Sequence, residues 1–212
     1  MDIRIAIADD HPMIISGIQN MLAGYEGFRI VASYGSSSDL LKGLESSQPD
    51  LLLLDIHLSD KTADLVVPVM VKKYPALKIL VLTNLNSVLY LHNMFRLGVH
   101  GYILKTADPE TLVQAIKTVW EGKTYTDETM REKLEQFSSR VKKEGSLKPS
   151  LTLREQEILK LTVEGLTIQE IADKLFIGLR TVEYYRSNIF LKLEVKNMAG
   201  LIKKALELGL AE

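Results

Sequence analysis

Five residues carry the chemistry that this sequence can offer: Asp9 and Asp10 side by side, Asp55, Thr83 and Lys105. Clustered carboxylates repel one another, and a hard divalent cation with oxygen ligands is their natural neutraliser; magnesium is preferred where a phosphate shares its coordination sphere. A lysine ammonium and a hydroxyl facing them can hold phosphoryl oxygens. The combination suits phosphoryl transfer to a carboxylate nucleophile, in which cation and lysine spread the developing charge and little other covalent machinery is needed. Taken singly, each residue has an ordinary explanation. An aspartate or threonine at a strand end caps a helix or forms a turn, and a lone lysine is a solvated charge. With no cysteine in the chain, thiolate metal sites, thiol nucleophiles and disulfides are excluded.

The elements that would gather the five are legible around them. Up to about residue 123, short apolar runs alternate with helical periodicity, the pattern of β/α units around a parallel sheet. Strands are expected at Arg4–Ala8, Arg29–Ser33, Asp50–Ile56, Lys78–Thr83 and Gly101–Leu104. Helices are expected at Pro12–Ala23, Ser38–Ser46, Ala63–Tyr74, Ser87–Leu97 and Pro109–Glu121, the last with Asp108 as cap and proline at its first position. This α/β pattern predicts a doubly wound, five-stranded parallel sheet, whose ligand site lies beyond the carboxyl ends of its strands. Asp9 and Asp10 follow the first strand, Asp55 and Thr83 end the third and fourth, and Lys105 follows the fifth. Five suitable residues on four strand ends of one sheet are hard to attribute to turn chemistry.

From Thr124 the pattern changes. Met130, Leu134, Phe137 and Val141 recur at helical spacing among charges, and Glu144–Ser150 supplies Gly, Ser and Pro, so residues 124–149 read as a linker helix and a flexible joint. Residues 150–212 show no strand signal and four short helical stretches, near Arg154–Glu164, Ile168–Leu175, Thr181–Leu193 and Met198–Leu208. The chain is 46% hydrophobic and 25% charged with a net charge of −1, which predicts a cored globular protein and leaves bulk charge silent about nucleic acid. Runs such as Leu51–Leu54 are far below the roughly 20 residues needed to cross a bilayer. Acidic residues interrupt the first ten, against a signal sequence; no membrane association and a cytoplasmic location are expected.

The segments Ala8-Asp9-Asp10-His11, Leu53-Leu54-Asp55-Ile56, Val81-Leu82-Thr83 and Gly101-Tyr102-Ile103-Leu104-Lys105 resemble the receiver domains of response regulators over residues 1–123. The resemblance implies that Asp55 is the phosphoacceptor, Asp10 a direct magnesium ligand and Asp9 a second one through water, with the backbone carbonyl of His57 completing the protein's share. It also implies that Thr83 moves inward with the phosphoryl group while Tyr102 rotates from exposed to buried. The alternative for Tyr102 is an edge-strand aromatic that packs and never switches. Ser59 and Ala63 stand where receivers often carry proline and glycine, and Asn84 where a small residue is common, which bears on the lifetime of the phosphoryl group.

In the last part, Leu151–Leu159, Gly165–Ala172, Thr181–Tyr185 and Ile189–Leu193 resemble in order and spacing a LuxR-type helix-turn-helix. Ile171, Ala172 and Leu175 can pack against Val182, Ile189 and Leu193 across a turn near Ile177-Gly178. With Val182 inward, about 100° per residue sets Glu183, Tyr184 and Ser187 toward the opposite side. Tyr184 and Ser187 are candidates for base edges, and Arg180, Arg186, Asn188 and Lys192 for the DNA backbone. The absence of a basic residue at 183 and 184 counts against reading of guanine. Leu201, Ile202, Ala205 and Leu208 form a stripe suited either to dimerisation or to the core.

Receiver and output module together resemble the NarL/FixJ type of regulator. That resemblance implies a DNA-binding transcriptional regulator rather than an enzyme, activated by a sensor histidine kinase. Double-stranded DNA, a second copy of the chain and RNA polymerase would be its other partners. Two alternatives remain at this point. One is a magnesium-dependent phosphohydrolase with His57 as general acid; the other is a DNA-binding protein with a vestigial receiver.

Overall fold

Leu51–Leu54 is buried at every residue, as a central parallel strand covered by helices on both faces must be. In the computed structural model, which describes residues 2–135, 151–195, 197–207 and 209–210, it is β3 of an all-parallel sheet. Preceding it are β1 (Ile3–Ala8), α1 (Pro12–Leu22), β2 (Phe28–Tyr34) and α2 (Ser37–Ser47); after it come α3 (Ala63–Lys73), β4 (Lys78–Thr83), α4 (Val88–Leu97), β5 (Gly101–Leu104) and α5 (Pro109–Trp120). The strand order is β2-β1-β3-β4-β5-β6, with β6 at Tyr125–Thr126, which puts the reversal of winding between β1 and β3. One core layer joins Ile3, Ile5, Ile7, Leu51, Leu53, Leu80, Leu82 and Ile103 to Leu112, Ile116 and Val119 of α5.

Two expectations are corrected. The sheet has six strands, because Tyr125–Thr126 (β6) pairs with β5. Those residues were assigned to the linker helix, but Thr124 and Thr126 are β-branched and follow Gly122 at φ +82°, which favours an extended exit from α5. The third strand ends at Leu54, so Asp55 is the first residue of the following loop. Residues 128–135 are helical (α6) with Met130 buried; the rest of the expected linker helix, with Phe137 and Val141, and the joint at 144–150 lie outside the described residues. At Gly101 a Cβ would stand 2.6 Å from Leu80 Cδ1, so only glycine lets β5 lie so close against that side chain.

The described residues part after Glu135 into two compact units. The second holds α7 (Leu153–Val163), α8 (Ile168–Leu175), α9 (Leu179–Lys192) and α10 (Met198–Glu207). α7 and α8 each begin with a full capping box, Thr152 with Glu155 and Thr167 with Glu170, which satisfies backbone donors that a helix start leaves without partners. Ile158, Leu159, Ile171, Ala172, Val182, Ile189, Leu193, Leu201 and Ala205 form its core.

Candidate functional site

The rim residues meet where β1, β3, β4 and β5 end. Asp9 and Asp55 are both nearly buried, and the Lys105 ammonium lies between them, 2.6 Å from Asp9 Oδ2 and 2.7 Å from Asp55 Oδ2. The other Asp55 oxygen, Oδ1, accepts the Ile56 N–H at 2.7 Å. Burial pushes the Asp55 carboxyl up from its ordinary value and the charge of Asp9 adds to this, while Lys105 and His57 pull against it. Thr83 is buried beside them, its Oγ1 accepting from the Leu85 N–H at 3.3 Å.

One contributor carried no role in the sequence reading. His11 Nδ1 lies 3.0 Å from Asp9 Oδ1 and 2.9 Å from Asp10 Oδ1, and the His11 backbone N–H donates to Asp9 Oδ1 at 2.9 Å. Its place in the Asp9-Asp10-His11 run was the available signal. Ligand atoms of Asp9, Asp10, His11 and Asp55 all lie within 4.8 Å of one another. Three carboxylates against one ammonium leave net negative charge in a largely buried pocket of oxygen donors, and that donor set fits a hard divalent cation such as magnesium.

Tyr102 is fully buried, its hydroxyl donating to the Leu85 carbonyl at 2.6 Å. It is not an edge-strand residue, because β6 pairs outside it, Tyr102 opposite Thr126. Tyr102 is thus inward in this structure, a position that both a switching tyrosine and one that only packs would take. Asn84 is exposed.

In the second unit, α9 is the second helix of the helix-turn-helix pair. Arg180 is exposed, and Glu183, Tyr184, Arg186 and Ser187 are partly exposed. The Tyr184 ring lies 5.2 Å from that of Tyr185. The Arg186 Nε is buried without a hydrogen-bond partner among the described residues. Two of the candidates for DNA contact also take part in the packing of this domain. Asn188 is buried at 5% exposure, and the Lys192 ammonium is bonded to buried Glu155 at 2.6 Å. α7 supplies the Glu155 that holds Lys192, which a helical wheel of α9 alone does not reveal. In α10, Leu201 and Ala205 are core, so half of the stripe offered for dimerisation is occupied. Ile202 is partly exposed and residue 208 lies outside the described residues.

With this geometry the comparisons agree. Residues 5–117 match the response regulator receiver domain, and residues 149–205 match the bacterial regulatory proteins of the luxR family. The chain is a response regulator of the NarL/FixJ type. It is 32% identical over 99% of both chains to the oxygen regulatory protein NreC of Staphylococcus epidermidis and 33% identical, with the same coverage, to NreC of Staphylococcus aureus. Among solved structures, RcsB of Salmonella enterica serovar Typhimurium, bound to promoter P1flhDC in the presence of the phosphomimetic BeF3−, superposes with a TM-score of 0.63 at 26% identity, covering 98% of this chain and all of that one. A second RcsB–DNA complex gives 0.62 at 26% identity with the same coverage. The regulator is thus built from a receiver and a LuxR-type DNA-binding domain. Among the described residues no helix is long and apolar enough to cross a membrane.

Proposed function

We propose that Asp55 is the phosphoacceptor, that a sensor histidine kinase is its donor, and that phosphorylation governs binding of α9 to promoter DNA. The observation that carries this reading is the Lys105 ammonium set between the buried Asp9 and Asp55 carboxylates. An Asp55 oxygen attacks the donor's phosphorus, the P–N bond of phosphohistidine breaks, and the departing imidazole nitrogen takes the electron pair and a proton. Asp9, Asp10, Asp55 and the backbone carbonyl of His57 would hold magnesium, which would neutralise the negative charge that gathers there. Lys105, already against Asp55, swings its bond to a phosphoryl oxygen, and the Thr83 hydroxyl donates to another. Drawing Thr83 inward leaves room for the Tyr102 position seen here.

In the output domain, α9 enters the major groove, Tyr184 and Ser187 meet base edges, Arg180 and Arg186 take phosphates, and Glu183 disfavours acceptor-rich guanine edges. A pair of subunits on adjacent half-sites raises affinity, and RNA polymerase is the partner through which bound regulator changes transcription. The cytoplasm, where kinase and DNA are reached together, is the proposed location. Because the receiver is joined to a DNA-binding domain, a regulator fits better than a phosphohydrolase. Asp55→Asn tests the reading: labelling by acetyl phosphate with magnesium is expected to vanish while the fold persists. Undiminished labelling would assign the acceptor to another residue.

A further inference from the structure

The loop that leaves Asp55 is a small closed hairpin. His57 and Thr62 bridge as an antiparallel pair, the Leu58 N–H donates to the Lys61 carbonyl at 3.2 Å, and the Ala63 N–H donates to the Ile56 carbonyl at 2.8 Å. Its tip is fastened to the start of α2. Asp60 Oδ1 accepts from the Ser37 N–H at 2.7 Å. Asp60 Oδ2 accepts from the Ser37 hydroxyl at 3.0 Å, the Ser38 N–H at 3.1 Å and the Ser38 hydroxyl at 2.6 Å. Beside it the Ser59 hydroxyl donates to the Gly35 carbonyl at 3.2 Å.

This fastening lies outside the phosphoryl chemistry described above. It crosses more than twenty residues of sequence, so it joins two loops that the chain does not hold together by itself. α2 has a cap of its own, Ser36 accepting from the Asp39 N–H. In this hairpin Ser59 and Ala63 occupy the positions where receivers often have proline and glycine, so stiffness that a proline ring would give must come from elsewhere. A loop that brings a main-chain carbonyl to a cation must be ordered when the cation binds, and any ordering left to that moment is subtracted from the affinity.

We propose that Asp60 is a positioning residue for the phosphoryl site: by pinning the hairpin tip to Ser37 and Ser38 it holds the His57 main chain at the acidic rim before the cation arrives. The inference rests on the reading of the rim as a magnesium-dependent phosphoryl site, and its test separates the two. In the full chain, thermal unfolding followed against magnesium concentration yields a Kd without any labelling step, since a ligand of the folded state at free concentration L stabilises it by RT ln(1 + L/Kd). Asp60→Ala is expected to bind magnesium roughly tenfold more weakly, the size usual for losing an outer support of a metal site. Amides of residues 57–62 are expected to exchange faster in EDTA, and Asp55 to label fully once magnesium is saturating. Ser38→Ala removes one donor and is expected to shift the Kd the same way by a smaller factor, which keeps the test open should Asp60→Ala fail to fold. If both variants melt lower yet keep the wild-type Kd, the contact serves α2 alone and the proposal is overturned, with the reading of the rim intact. If the wild-type chain shows neither magnesium-dependent stabilisation nor label, the reading of the rim fails and the proposal with it.

Discussion

At Asp55 two opposing effects meet in one side chain. Burial raises its pKa and the Lys105 ammonium lowers it, and burial wins. A carboxyl that holds its proton more tightly folded than unfolded makes the folded state lose stability as pH rises, starting near the unfolded value of about 4 and complete above the raised folded value. Asp55→Asn keeps the shape and removes the charge. The cation-free variant is therefore expected to melt higher than wild type at neutral pH, and the difference should shrink as pH falls toward about 4. Melting curves in EDTA across that range check it; a lower melting temperature for the variant at neutral pH would show that the Lys105 bond outweighs burial. The five rim residues were readable because a doubly wound sheet sends every strand end to one side. The role of His11 was not, since its approach to Asp9 and Asp10 depends on the turn into α1. Nor was the inward setting of Tyr102, which depends on Leu85 in a loop that periodicity does not describe.

Among the elements, the two capping boxes differ in one respect that has a measurable consequence. Glu170 is exposed and, among the described residues, bonds to Thr167 and its backbone alone, whereas Glu155 is buried, serves Thr152, and also accepts from Lys192 of α9. Replacing Glu170 by Ala is expected to cost less than replacing Glu155, since its cap interaction lies in water. Replacing Glu155 by Ala strips a half-buried ammonium and a helix start of their shared acceptor, and is expected to cost about 3 kcal/mol, the lower end for breaking a buried pair. Unfolding of a fragment beginning at residue 149 measures both; equal losses would mean that the Lys192 bond contributes nothing. Helices and strands were legible from their periods and caps. β6 was not, because a two-residue strand has no period and forms only where β5 offers an open edge. The surroundings of Asn188 and Lys192 were not legible for a related reason: a wheel gives the angle of a side chain but not what packs there.

For the molecule as a whole, the order receiver then helix-turn-helix was legible, because the period of the sequence changes after residue 123 and the family motifs keep their spacing on both sides. How the two units communicate is a matter of tertiary arrangement and carries no local signal. On the proposed reading, the face formed by α4, β5 and α5 has two states, Tyr102 marks one of them, and phosphorylation of Asp55 favours dimers and DNA binding. Binding can shift only by the free-energy difference between the two arrangements, and a difference of about 1 to 3 kcal/mol corresponds to roughly 5-fold to 150-fold in affinity. The most direct test is the promoter-DNA affinity of the full-length chain with and without beryllofluoride, alongside the isolated helix-turn-helix domain and the Asp55→Asn chain. The account predicts that beryllofluoride tightens binding by the full-length chain within that range and raises its oligomeric state, and that it leaves the isolated domain and Asp55→Asn unchanged. An untreated full-length chain that already binds as tightly as the treated one, in the same oligomer, would contradict it.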